Sequence, residues 1–401
     1  MTSPEPGPAA PGPPAPDPSP AGPAKPGSGG SGGAAPGLRA RLAGFVGPAH
    51  FKLGFRAAFA GLAAYALAYG LSLPNGYWAV LTAVLVVQST IGASLAVAID
   101  RALGTVVGGV VGVTAAMLVG DSVPLTFVAL GVAVFLTATL SARSSSYKLA
   151  PVTVVIVLLA DPGHVQPWLA GLHRVFEIGV GGVVGMACAI LILPERALFR
   201  LFPHCAKTLR MCARLLELGR DGLLGRGLDP GEVDVLNTQT RTALRAADAR
   251  IAEARAERAG WLTGHADPAP VVRNCRRLWH SVIILLRVSD RPLVEPVAGR
   301  VAPALDAAVA ALGASMEGLA ARLDGAAVPD FAGRMATAAA AVAALEAEAE
   351  RLKAEGGLDV ARSETLIALY SAVSACAQVR ENLEDLVARY DEVKAEGGEG
   401  A

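Results

Sequence analysis

Between residues 168 and 193 an apolar stretch is interrupted by His173, Arg174 and Glu177. At helical spacing Arg174 and Glu177 fall one turn apart on the same side, and Arg174 lies about 9 Å inside the start of the stretch. An ionised side chain at such a depth is costly and normally faces a partner or a water-filled cavity. One reading is a structural ion pair within the helix, or snorkelling to the interface. The other is a polar pathway in which Arg174 attracts an anion while His173 and Glu177 carry protons. Arg101 stands at the edge of a second apolar stretch, and Thr82 and Gln88 are polar groups inside a third. Such groups can hydrogen-bond between helices or to a ligand. The chemistry on offer is therefore anion recognition and proton carriage. No enzyme site emerges: Cys188, Cys205, Cys212, Cys275 and Cys376 are scattered, without a CxxC pair or histidines at ligand spacing, so no metal and no cofactor is implied. The glycines of the GTVVGG run lack the Lys-Ser/Thr of a phosphate-binding loop.

The elements that must position these residues follow from where charge is missing. The chain has 401 residues and balanced charge, 35 Lys and Arg against 35 Asp and Glu, which excludes nucleic-acid binding through an overall basic excess. The balance is a sum over unlike zones. Residues 57–193 carry only Asp100, Arg101, Asp121, Arg143, Lys148, Asp161, Arg174 and Glu177. With about 20 residues needed per crossing, this zone predicts six membrane spans at about 57–73, 77–93, 102–120, 122–142, 144–160 and 168–193. The fifth is the weakest, since only twelve uncharged residues separate Lys148 from Asp161. The expected fold class is an all-α polytopic membrane protein with a helical bundle attached.

Loop charges support six crossings. Arg39, Arg41, Lys52 and Arg56, then Arg101, then Arg143 and Lys148, then Arg196, Arg200 and Lys207 all fall on one side, which the positive-inside rule makes cytoplasmic. Both termini are then cytoplasmic, in a bacterial inner membrane. An internal repeat also shows: RALGTVVGGVVGV from Arg101 recurs as RVFEIGVGGVVGM from Arg174. Two units of three spans predict an inverted repeat, although Gly/Val-rich helices also resemble one another by composition alone. Gly104, Gly108 and Gly112 share a helix face, as do Gly181 and Gly185, so these are expected helix-packing positions.

Outside this zone, residues 1–36 are rich in Pro and Gly and read as a disordered tail, and 37–56 as a basic juxtamembrane segment. Residues 194–401 alternate Ala- and Leu-rich stretches with charges at helical, coiled-coil-like spacing, and predict a cytoplasmic bundle of about six helices.

The run Pro74-Asn75-Gly76-Tyr77-Trp78-Ala79-Val80-Leu81-Thr82, then Gln88-Ser89-Thr90-Ile91-Gly92, then Arg101-Ala102-Leu103-Gly104-Thr105-Val106-Val107-Gly108 resembles the fusaric acid resistance type membrane proteins of the aromatic acid exporter superfamily. The resemblance covers about residues 45–200. Family members commonly carry proline where this chain has Ser89, and many have two copies of the membrane-plus-soluble unit where this chain has one. It implies export of small organic, aromatic-carboxylate anions, with the lipid bilayer as surroundings and a homodimer or higher homo-oligomer to complete the path. A passive anion channel and a membrane-anchored scaffold acting through the bundle are the alternatives. In the arrangement expected from sequence, Arg101 and Arg174 attract the carboxylate at opposite ends of a path, and the glycine-bearing spans 3 and 6 pack against each other.

Overall fold

The computed structural model describes residues 48–120, 122–159, 166–260, 264–355 and 363–398. The expected disordered tail, residues 37–47 of the basic segment, Asp121 and the loop holding Asp161 and His164 lie outside them. The membrane zone forms α1 (Pro48–Gly70), α2 (Tyr77–Val86), α3 (Ile91–Val119), α4 (Val123–Arg143), α5 (Ala150–Leu159) and α6 (Pro167–Leu191). The remainder forms α7 (Ala197–Leu223), α8 (Pro230–Ala259), α9 (Ala269–Val288), α10 (Val297–Leu323), α11 (Phe331–Ala354) and α12 (Ser363–Gly398).

Two spans differ from expectation. The second was expected as one helix to residue 93, but α2 stops at Val86, residues 87–90 are not helical, and a new helix starts at Ile91. The Gln88-Ser89-Thr90 polar run is the break: Thr90 caps α3 by accepting from the Ala93 amide, and the Ser94 hydroxyl accepts from the Gln88 amide. Asp100 and Arg101 consequently sit within a 29-residue helix and not in a loop. The fifth span holds only the ten-residue α5, preceded by a short 3-10 turn at Ser145–Tyr147. At 1.5 Å per residue α2 and α5 are each about 15 Å long, half of a hydrocarbon core. Four of the membrane-zone helices are long and apolar enough to cross. α10 also meets that criterion by length and composition, yet it packs against α7 and α11 within the bundle core.

The repeat is visible in the element boundaries. α2 and α5 start at Tyr77 and Ala150, and α1 and α4 end at Gly70 and Arg143, the same separation as between Arg101 and Arg174. The units exchange their short helices: α3 packs on α5, α6 packs on α2, and α3 and α6 also meet each other. The glycine rows serve the exchange. A Cβ on Gly108 would run into the Ala150 carbonyl and Thr153, and one on Gly181 into the Ala79 carbonyl and Thr82. Gly104 faces Leu149, Gly112 faces Val154 and Val157, and Gly185 faces Ala83 and Val86. The expected contact between α3 and α6 is present, but these glycines line the α3–α5 and α6–α2 seams instead. Close backbone approach matters most at the short helices, because lipid gives them no hydrophobic reason to enter the protein.

The bundle core is built from leucines of α7, α9 and α10, among them Leu209, Leu216, Leu278, Leu285 and Leu312. α8 lies along α7 and carries two carboxylates to the start of α3. The fully buried Glu257 accepts from the Gly92 amide of α3 and the Ala197 amide of α7, both at 2.9 Å. Glu253 accepts from the Thr90 hydroxyl at 2.7 Å. Nearby, Arg56 is buried and donates to the Gln88 carbonyl (3.1 Å) and the Leu193 carbonyl (2.9 Å). Leu193 sits in the left-handed region at φ 48°, a conformation costing about 1–2 kcal/mol for a residue with a Cβ.

Gly108→Ala and Gly181→Ala should each destabilise the protein by about 1–3 kcal/mol through overpacking. Gly182→Ala, where a Cβ meets nothing within 4 Å, should be neutral or slightly stabilising. Thermal unfolding in detergent checks this, and equal effects at positions 108 and 182 would refute the seam. Burial also raises the Glu257 carboxyl above its ordinary value of 4.5, against the opposing pull of the Gly92 and Ala197 amides. The native state therefore binds this proton more tightly than the unfolded chain, and the stability contributed by Glu257 is lost as pH rises through the raised value. Melting curves from pH 4.5 upward should show wild type losing more stability than Glu257→Gln; parallel curves would contradict the shift.

Candidate functional site

α3 and α6 carry Arg101 and Arg174 to one place. Both line a cavity of about 210 Å³ whose walls include Trp78, Thr105, Leu149, Thr153 and Ile178. The expectation that the two arginines mark opposite ends of a path is corrected. Arg101 is the eleventh residue of α3, about 15 Å from its start at the bundle, so it reaches the middle of the membrane zone. The cavity repeats the internal symmetry, with Thr105 and Ile178 four residues after each arginine and with α2 and α5 supplying opposite walls.

The two arginines are held differently. The Arg174 guanidinium stacks on Trp78, its central carbon 3.3 Å from a ring centroid, and one nitrogen lies 3.5 Å from Glu177. Cation–π contact of this kind gains strength when water is excluded. Glu177 in turn accepts from the Asn75 amide at 2.9 Å, in the turn that leads into α2. Two Arg174 nitrogens, Nε and Nη2, are buried without a partner. Arg101 is 7% exposed and donates through Nε to the Thr82 hydroxyl at 3.0 Å. Among the described residues no carboxylate reaches it. Thr82 passes its own proton to the Trp78 carbonyl at 2.7 Å, so its oxygen faces Arg101 as an acceptor.

A second cavity of about 370 Å³ lies on the other side of Arg174 and Trp78, which line both. Asn75, Tyr77, Gln166, His173 and Glu177 form the polar part of its wall, with Ile156, Val157, Leu169 and Ala170 beside them. Of the residues singled out from sequence, Arg101, Arg174, His173 and Glu177 thus line these two cavities, and Thr82 touches Arg101 from behind. Gln88 is elsewhere: its side chain donates to the Leu85 carbonyl and its own carbonyl accepts from Arg56 at the break after α2.

Residues 62–188 match the family model described as fusaric acid resistance protein-like. The membrane domain belongs to that family. No curated protein gives a significant match to the chain. Both arginines, Trp78, Thr82 and Glu177 lie inside the matched range of this fusaric acid resistance protein-like domain, whereas Glu253, Glu257 and the bundle lie beyond it.

Sequence reasoning missed Trp78, which entered only as part of the Pro74–Thr82 run. The available signal was its sequence neighbour Thr82, one helical turn along and already a polar candidate. It also missed Arg56, counted only as part of a basic collar.

In charge terms the two cavities hold two guanidiniums and one carboxylate. An anion has an uncompensated positive charge to meet there, with apolar walls around it. Glu177→Gln leaves two such charges. Removing one partner of a buried pair costs about 3–5 kcal/mol, and the retained hydrogen bond to Asn75 should keep this variant at the lower end. Benzoate should then raise its melting temperature by more than it raises that of wild type. An equal or smaller rise would show that Glu177 does not balance the charge an anion meets.

Proposed function

We propose that this protein exports small organic anions, aromatic carboxylates among them, through the arginine cavity of its membrane domain. The observation that carries this reading is Arg101, a buried guanidinium with a hydroxyl as its side-chain partner, beside Arg174 in a cavity shared by both repeats. A buried charge without a counter-charge is among the least favourable features a fold can retain for stability alone. A carboxylate ligand supplies the missing charge. The walls suit its other end: Leu81, Val152, Ile156 and Ile178 are apolar, and Trp78 offers a ring. At about 210 Å³ the cavity is below the range of about 300–1,000 Å³ typical of drug-sized ligands, which favours a small anion.

The repeat supports alternating access. With each short helix completed to a crossing by the segments that flank it, three passages per unit invert the second copy relative to the first, and rocking of one unit against the other about the central cavity opens it to either side. The cavity beyond Arg174, with His173 and Glu177 in its wall, is the vestibule on the side away from the bundle, and those two residues are the groups able to carry protons for coupling. Moving Arg101 from a loop into α3 leaves the basic asymmetry intact, since Lys52, Arg56, Arg143, Lys148, Arg196, Arg200 and Lys207 still face one way. That asymmetry supports a bundle and termini on the cytoplasmic side of a bacterial inner membrane. The single copy of the unit makes a homodimer the expected assembly.

Arg101→Gln in proteoliposomes should lower benzoate flux per folded molecule by about 10- to 100-fold, the loss expected when a charge-assisted hydrogen bond to the ligand is removed. Unchanged flux would remove the cavity from the mechanism. Benzoate current across a planar bilayer without a proton gradient would assign passive conduction instead of coupled export.

A further inference from the structure

Among the described residues one membrane helix packs extensively on the bundle, beside the chain connection through residues 192–196. Among the membrane-zone helices it is α3 that packs on the bundle, and it does so against α8. The contact is close enough to exclude a side chain: a Cβ on Gly92 would collide with the Glu253 carbonyl of α8. Three polar links fix it. Thr90 donates to Glu253, the Gly92 amide donates to Glu257, and the Ile91 amide donates to the Glu195 carbonyl at 3.1 Å. Glu257 holds the first amide of α7 with the same oxygen that holds Gly92. One buried carboxylate therefore joins the starts of two helices, the membrane helix that carries Arg101 and the first helix of the bundle.

We propose that Glu257 is a positioning residue for the arginine cavity, acting through α3 so that the bundle sets where Arg101 stands. The inference rests on the reading of that cavity as the anion site. α3 is suited to transmit position. It runs from Ile91 through Arg101 and Thr105 to Val119 as one 29-residue helix without proline, the commonest cause of a sharp kink. The non-helical residues 87–90 separate it from α2, so α3 can shift with the bundle while α1 and α2 stay in place. α8 is equally continuous from Glu232 to Ala259. Around Glu257 the charged groups are Glu253 on α8, paired with Arg250; His265 in the segment that follows α8; and, near the start of α7, Arg200, paired with Glu195. Residues 90–94 of α3 bring only a hydroxyl pair and backbone amides to the contact. The amide of Gly92 consequently has Glu257 as its partner at the joint, and loss of that carboxylate frees the start of α3.

The test is saturation of benzoate flux by the full-length protein in proteoliposomes, corrected for protein-free vesicles and for folded protein. Glu257→Ala removes the acceptor from the α8 side, Gly92→Ala opens the joint from the α3 side, and Glu257→Asp keeps the charge one methylene short. The first two should raise the KM for benzoate by about 2- to 30-fold, the span expected of coupling residues that touch no ligand, with Glu257→Asp in between. A purely structural cap would lower the melting temperature and leave KM per folded molecule unchanged, which would overturn the proposal. Should Glu257→Ala fail to fold, Gly92→Ala alone decides, because it leaves every charge in place. If wild type saturates and Arg101→Gln does not, while the joint variants match wild type, the anion-site reading stands and the role of Glu257 falls. If Arg101→Gln matches wild type, the reading itself falls, and this inference with it.

Discussion

In hydrocarbon every backbone amide and carbonyl needs a partner inside the protein, and the two half-length helices of this membrane domain break that supply at their ends. The charged residues of the membrane zone are best understood from this constraint. Arg56 takes the Gln88 carbonyl just after α2 and the Leu193 carbonyl just after α6. Glu177 takes the Asn75 amide just before α2, where a negative charge also suits the positive end of the helix. Ser94 takes the Gln88 amide, and Glu257 takes the Gly92 amide where the chain resumes as α3. Each of these side chains has a structural task that would exist without any substrate. Arg101 differs. Its partner is a threonine side chain that already bonds within its own helix, and among the described residues it holds no broken backbone end.

The same constraint explains what could be read from the sequence. Charge is excluded from lipid wherever it has no task, so the membrane zone, the bundle and the suspects Arg174, Glu177 and His173 were visible as exceptions to a rule about composition. The glycine rows were visible for a similar reason, since small residues recur where backbones meet. Their partners were not visible, because Gly108 and Ala150 are brought together by the exchange of short helices between repeats and not by local pattern. The break at 87–90 was hidden for a different reason. Val86 and Val87 continue the apolar run into Gln88, and only the capping contacts of Thr90 and Ser94 reveal that a helix ends and another begins. Arg56 and Glu257 could not be ranked at all: each owes its burial to segments 32 to 165 positions away in sequence.

The repeat is regular in backbone and irregular in chemistry. Gly108 and Gly181 meet equivalent positions, Ala150 with Thr153 and Ala79 with Thr82. Yet against the facing helix the place of Trp78 on α2 is taken by Leu149 before α5, two residues out of step with the helix starts, and Glu177 on α6 corresponds to Gly104 on α3. As a result Arg174 has a ring and a carboxylate, whereas Arg101 has a hydroxyl. A symmetric scaffold gives the two units similar packing, so that opposite arrangements can lie close in energy. The asymmetric side chains then decide which arginine gives up least when an anion arrives. Arg174 would have to leave Glu177 to bind one fully, while Arg101 has no carboxylate to leave. The anion is therefore expected to sit on Arg101 and to use Arg174 as its neighbour.

That assignment gives the attached bundle a mechanical place in the argument. The arginine without a carboxylate partner is on α3, the helix that packs on α8, whereas the arginine paired with Glu177 is on α6, which leads into α7 through residues 192–196. Moving α3 changes the position of a charge that has little else to hold it. Moving α6 would drag Glu177 and the start of α2 with it. A shift of small amplitude at the bundle is thus felt at Arg101, because α3 is joined to α8 at its start and carries its functional residue about 15 Å along a continuous helix. The gap in charge compensation and the close packing on α8 fall on the same helix, and that coincidence is what links the bundle to the cavity.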